Sequence, residues 1–207
     1  MKRINQVAHR FDQHAKNYDN PWTTWLGERE LRGVRQLVPA NSEVLDYGCG
    51  TGRTTLDLLS RGCQVTCYDI SAEMLRQAQA KVSRIGFEAE FTTHIEQLAG
   101  HTWPIVTCVG VMDYYPNPVA LLTHLLQFVA SSGRLIVTFP NALNPLGWFY
   151  FLGSRFTVPA TPRTPARARR SCERAGYKIE KIIFTLPTIP IIGYTMVFSL
   201  LPKRGVG

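Results

Sequence analysis

The chain has 207 residues, 45% hydrophobic and 18% charged, with 16 Gly and 13 Pro; that composition builds a globular domain with a sizeable core and excludes a disordered tail. Twenty-three Lys and Arg against 15 Asp and Glu give a formal charge of +8, which points to an anionic partner without choosing among nucleic acid, lipid headgroup and acidic metabolite. Cys49, Cys63, Cys67, Cys108 and Cys172 are odd in number and include no CxxC pair, and no His cluster has zinc-like spacing, so neither a disulfide framework nor a structural metal is encoded and a reducing cytoplasm fits best.

The first residues, MKRINQVAHRFDQHAKNYD, hold no apolar run of signal-peptide length and read as part of the mature protein. Residues 3–18 and 22–37 read as helices, giving an N-terminal helical lid over 1–40. Residues 43–47 form a short apolar strand that runs into a glycine turn at 48–52. A helix over 53–61 and a strand over 64–68 follow. Ser71 then opens a helix as its N-cap, with Glu73 in the first turn and the run continuing to Ser83. Strands are expected at 89–92, 105–109 and 134–139, with a helix at 118–130 between the last two. A helix over 164–175 stops at Gly176, and strands 178–184 and 195–201 close the sheet as a hairpin. The alternation describes one α/β domain over 1–207: a doubly wound, mostly parallel seven-stranded sheet with an antiparallel closing hairpin.

Two uncharged stretches, 135–154 and 182–202, are long enough to cross a bilayer. Pro140, Asn141, Asn144 and Pro145 break the first; Pro187, Pro190 and Gly193 break the second, so neither reads as a regular spanning helix. Residues 140–162 depart from the alternation. Trp148, Phe149, Tyr150, Phe151 and Phe156 crowd there beside Pro and Gly, as expected of an apolar insertion that either lids a site or covers a sheet edge.

The sharpest pattern is Val44-Leu45-Asp46-Tyr47-Gly48-Cys49-Gly50-Thr51-Gly52, a strand ending in an acid and three alternate glycines that open a helix. Glycines there allow a tight turn and close approach of a ligand to the backbone. A second strand ends in Asp69, seventeen positions beyond Gly52, where an acid accepts hydrogen bonds from ribose hydroxyls. A nucleoside ligand follows. The dinucleotide spacing would need glycine at position 53, which holds Arg53, and a phosphate loop would need a longer spacer before its Lys. Asp46 would repel a pyrophosphate and favour a cation, which points to S-adenosylmethionine and its ammonium and sulfonium.

Those motifs, with Met74, the FDxxAxxYD entry at Phe11 to Asp19 and RRSCERAGYKI before the closing hairpin, resemble a class I, Rossmann-like S-adenosylmethionine-dependent methyltransferase over nearly the whole chain. The resemblance implies that Gly48, Cys49, Gly50 and Gly52 hug the cofactor and that Asp46 sits near its amino-acid end. It implies Asp69 on the ribose, Ile70 and Met74 flanking the adenine, and Tyr18 closing over the pocket. His94, Ile95 and Glu96 occupy the segment where that family often has an acid on the adenine amine.

Gly110-Val111-Met112-Asp113-Tyr114-Tyr115 follows the fourth strand and faces the donor methyl in this architecture. Methyl transfer needs alignment more than a strong base. Asp113 is the candidate proton acceptor or acceptor-orienting group, Tyr114 or Tyr115 a stacking group, and His14 on the lid the other candidate base. No NPPY, DPPY or Pro-Cys motif is present, which disfavours amino-group and cytosine methylation. Arg163, Arg167, Arg169 and Arg170 span much of a helix surface and read as a solvated face rather than a nucleic-acid site. The expected acceptor is a small, bulky apolar or aromatic molecule, lipophilic or anionic, methylated on oxygen or carbon, with peripheral membrane contact open. Faint similarity to quinone, lipid and magnesium-protoporphyrin methyltransferases agrees. The competing readings are an RNA or protein methyltransferase using the arginine helix, a cofactor-binding partner without catalysis, and a nicotinamide dehydrogenase.

Overall fold

Alternate residues of the central strands feed two separate hydrophobic layers, as strands buried on both faces require. The computed structural model describes residues 8–13, 15, 18, 19, 21–145, 152, 160–185 and 193–203. Its strands are β1 (Glu43–Tyr47), β2 (Gln64–Tyr68), β3 (Glu90–Thr92), β4 (Trp103–Cys108), β5 (Val129–Pro140), β6 (Tyr177–Thr185) and β7 (Thr195–Pro202). The helices are α1 (Pro21–Arg35), α2 (Arg53–Ser60), α3 (Ala72–Arg84), α4 (Pro118–Leu125) and α5 (Pro165–Arg174). The sheet order is β3-β2-β1-β4-β5-β7-β6. β3, β2, β1, β4 and β5 pair in parallel, whereas β7 runs antiparallel between β5 and β6.

Leu45, Val106, Leu135 and Phe198 belong to the layer filled by Leu121, Leu122 and Leu125 of α4 and by Ala168 and Cys172 of α5. Their sequence neighbours Val44, Ile105, Ile136 and Val197 belong to the other, filled by Val34 of α1, Leu58 of α2 and Leu75 and Val82 of α3. All five cysteines are buried and free. Among the described residues no helix is long and apolar enough to cross a membrane.

Local chemistry sets the helix starts. The Ser71 hydroxyl accepts from Met74 N at 3.1 Å and the Thr164 hydroxyl from Arg167 N at 3.3 Å, while α1, α4 and α5 begin on Pro21, Pro118 and Pro165. The expected helix at 118–130 ends earlier. α4 stops at Leu125, a 3-10 turn covers 126–128, and Val129 already pairs with Trp103 at the start of a longer β5. The fourth strand lies at Trp103–Cys108 instead of 105–109. In the expected first helix, 8–13 are helical; His14 lies outside the described residues, as do Trp148, Phe149, Tyr150, Phe151 and Phe156 of the expected insertion.

Candidate functional site

β1, β2 and β4 deliver their carboxyl ends to one cavity of about 530 Å³, the crevice where open α/β sheets hold ligands. Gly48, Cys49 and Gly50 form its base, Asp69, Ile70, Met74 and Ile95 one side, and Gly110 and Tyr114 the turn beyond β4, while Tyr18 covers it from the N-terminal segment. These ten are brought together from the sequence candidates.

The glycine turn hangs on the last residue of β2: Gly48 N and Cys49 N donate to the Tyr68 carbonyl at 2.7 and 3.1 Å. Gly50 N donates to Asp69 Oδ2 at 2.8 Å and Ser71 N to Oδ1 at 2.9 Å. Asp69 is thereby oriented by two backbone amides at the cavity edge. Burial pushes its carboxyl pKa up, against those same amides. A Cβ on Gly50 would meet nothing within 4 Å, so this glycine presents bare backbone to the cavity.

Five candidates take other positions. Asp46 is 1% exposed and outside the lining; its Oδ2 accepts from the Thr55 hydroxyl at 2.7 Å and its Oδ1 from that of Thr107 at 2.9 Å. Strand alternation turns it toward α2, where it staples β1 to α2 and β4. Burial raises its pKa to about 6, opposed by the two hydroxyls. Gly52 is outside the lining as well. It has φ +85, and a Cβ would sit 2.9 Å from Ala78 Cβ, so it lets α2 and α3 pack. His94 and Glu96 are exposed while Ile95 and Leu98 turn inward, the three-residue periodicity of the 3-10 turn Ile95–Leu98. Asp113 lies behind the lining rather than in it.

Asp113 nevertheless belongs to an organised layer. Burial raises its pKa to about 7; Glu30 raises it further and Arg163 opposes. Arg163, 6% exposed, donates Nη1 to the carbonyls of Met112 (3.0 Å) and Thr161 (2.9 Å) and Nη2 to those of Tyr115 and Pro116. Thr161 N donates to the Asp113 carbonyl at 2.7 Å, and Gly110 N to the buried Thr138 hydroxyl at 2.8 Å. One guanidinium therefore shapes the turn at 112–116 that carries Tyr114 and Tyr115 into the cavity. Glu30 stands 3.6 Å from Arg53, another lining residue.

Sequence reasoning missed much of the aromatic wall. Phe11 packs edge-on against Tyr114 with centroids 5.0 Å apart. Tyr47 and Tyr68, register partners at the ends of β1 and β2, tilt together at 4.7 Å. His124 lines the cavity too, beside Tyr115, which the sequence offers with Tyr114 as a stacking group. Burial raises the pKa of Tyr115, like that of Tyr18, to about 12 and lowers that of His124. Their helical or strand spacing carried the signal: Leu121 and His124 share one face of α4, and Tyr47 shares the side of Leu45.

A model of the methyltransferase domain family matches residues 44–133. The chain is 22% identical over 209 residues to a ubiquinone biosynthesis O-methyltransferase of Nitrosospira multiformis, covering 88% of this chain and 82% of that one. A relative with the same description from Aromatoleum aromaticum is 25% identical, with 88% and 83% covered. Among solved structures, magnesium protoporphyrin IX methyltransferase from Synechocystis PCC 6803 with bound SAM superposes with a TM-score of 0.73 at 21% identity, covering 98% of each chain. That likeness shows a shared fold.

Proposed function

We infer that this chain, a class I S-adenosylmethionine-dependent methyltransferase, transfers the donor methyl to an oxygen, or alternatively a carbon, of a small apolar or aromatic acceptor. The observation that carries the reading is a single cavity with an amide-held acid and bare glycine backbone at one part and a wall of aromatic rings at another. The donor fits it: Asp69 offers its carboxylate to ribose hydroxyls, Gly48 to Gly50 leave room beside the backbone, and Ile70, Met74 and Ile95 supply apolar surface for adenine. When bound, S-adenosylmethionine supplies an electrophilic methyl on a sulfonium.

The remaining work falls to the chain's own residues. Phe11, Tyr18 and Tyr114 cover the cavity and exclude water, and Tyr114 and Tyr115 orient a flat acceptor. Asp113, next to Tyr114 in the turn after β4 and with its pKa raised to about 7 by burial, is assigned the proton that a hydroxyl acceptor releases. The relatives described as ubiquinone biosynthesis O-methyltransferases favour a lipophilic phenolic acceptor. The exposed Arg167, Arg169, Arg170 and Arg174 of α5 support peripheral contact with anionic lipid, where such an acceptor resides.

The test is transfer of radiolabelled methyl from S-adenosylmethionine to a panel of alkylated catechols, hydroxyquinols and aryl carboxylates, with and without anionic vesicles, beside RNA and protein controls. Ring hydroxyl labelling is expected; labelling of RNA or protein alone would replace this acceptor class.

A further inference from the structure

Phe11 and Tyr18 are each followed by an aspartate, and both aspartates are engaged. Asp12 Oδ1 accepts from the Ser71 hydroxyl at 2.5 Å and from Glu73 N at 3.3 Å, so a carboxylate of the N-terminal segment joins Ser71 in capping α3. There it meets the positive end of the helix dipole. Asp19 Oδ1 accepts from the Thr51 hydroxyl at 2.9 Å, and its Oδ2 from the Lys81 ammonium. Lys81, near the other end of α3, also donates to the Thr51 carbonyl at 2.8 Å. Ser71 links the two carboxylates, since its amide holds Asp69 while its hydroxyl, which also caps Met74 N, holds Asp12.

We propose that Asp12 and Asp19 are positioning residues that clasp the N-terminal segment to both ends of α3, so that Phe11 and Tyr18 close over the bound nucleoside cofactor and its release requires the clasp to open. The proposal rests on the donor-binding reading above. An isolated exposed ion pair contributes little, but each aspartate here accepts two hydrogen bonds, and both attach one short segment. Through Ser71, a ligand that orders Asp69 also steadies the catch for Asp12.

The experiment measures S-adenosylhomocysteine dissociation by stopped-flow tryptophan fluorescence, and hydrogen exchange of residues 8–19 in the ligand-free protein, for wild type, Asp12→Asn, Asp19→Asn and the double variant. Each single substitution is expected to speed dissociation and exchange by about five- to tenfold, leaving the association rate unchanged. The charge exchange Asp19→Lys with Lys81→Asp should restore slow dissociation, which a merely structural role would not predict. Wild-type dissociation and exchange rates in the double variant would overturn the clasp. If wild type bound no S-adenosylhomocysteine, the donor-binding reading would fail, and exchange at residues 8–19 would decide the clasp alone.

Discussion

Gly50 and Gly52 stand two residues apart in one turn, yet an alanine at each should fail differently. At Gly52, φ +85 places a side chain in the left-handed region, at about 1–2 kcal/mol. The new Cβ would also lie 2.9 Å from Ala78 Cβ and 3.1 Å from Ala78 Cα. Backbone cannot swing aside as a side chain end can, so α2 and α3 must separate, adding about 1–3 kcal/mol. The lost chain freedom of the unfolded state offsets about 0.4–1 kcal/mol. Gly52→Ala should therefore cost about 2–4 kcal/mol, a fall in Tm of about 4–16 °C for a chain of this length. At Gly50 only the backbone cost applies, because nothing lies within 4 Å of the new methyl. Gly50→Ala should melt within about 4 °C of wild type but weaken S-adenosylhomocysteine binding about tenfold or more, since its methyl enters the cavity. Scanning calorimetry of the ligand-free variants and titration calorimetry with the ligand separate the two effects. Equal melting temperatures, or intact binding by Gly50→Ala, would refute the assignment of Gly52 to helix packing and of Gly50 to the ligand.

Other outcomes follow from the buried charges. Asp113 has its pKa raised to about 7 by burial, so the folded chain binds its proton more tightly than the unfolded chain, and stability falls as pH rises from about 4 to 7; Asp113→Asn should flatten that slope in melting curves. If Asp113 takes the acceptor's proton, kcat/KM rises with pH through an inflection near 7 that Asp113→Asn abolishes. Arg163→Met strips the donor from the carbonyls of Met112, Thr161, Tyr115 and Pro116, and should cost about 2–4 kcal/mol in denaturant titration. Thr55→Val leaves Asp46 one hydroxyl partner, so urea unfolding should show a loss of about 1–3 kcal/mol with ligand affinity nearly unchanged.

What was legible in the sequence depended on whether local chemistry or long-range pairing decided it. β1 and β2 lie where expected because each apolar run stops at an acid or glycine turn, and Ser71 caps α3 as its position before Glu73 announced. The fold class was readable from alternation alone. Val129 and Ala130 were misread as helix because they continue the apolar spacing of α4; only their pairing with β4 makes them strand. In the site, the place of Asp69 at the cavity was legible through its distance from the glycine turn. The place of Asp46 was not, because its neighbours Thr55 and Thr107 lie on other elements and hold it outside the cavity lining. Arg163 read as part of a solvated basic run, whereas the carbonyls that bury it lie some fifty positions earlier in the chain.

The central claim is donor binding through Asp69, and titration calorimetry of S-adenosylmethionine and S-adenosylhomocysteine against wild type and Asp69→Ala, with NAD as control, tests it most directly. Binding on the order of micromolar in wild type, at least tenfold weaker in the variant, with none for NAD, is the predicted result. Failure of wild type to bind either ligand, or a preference for NAD, would contradict the account.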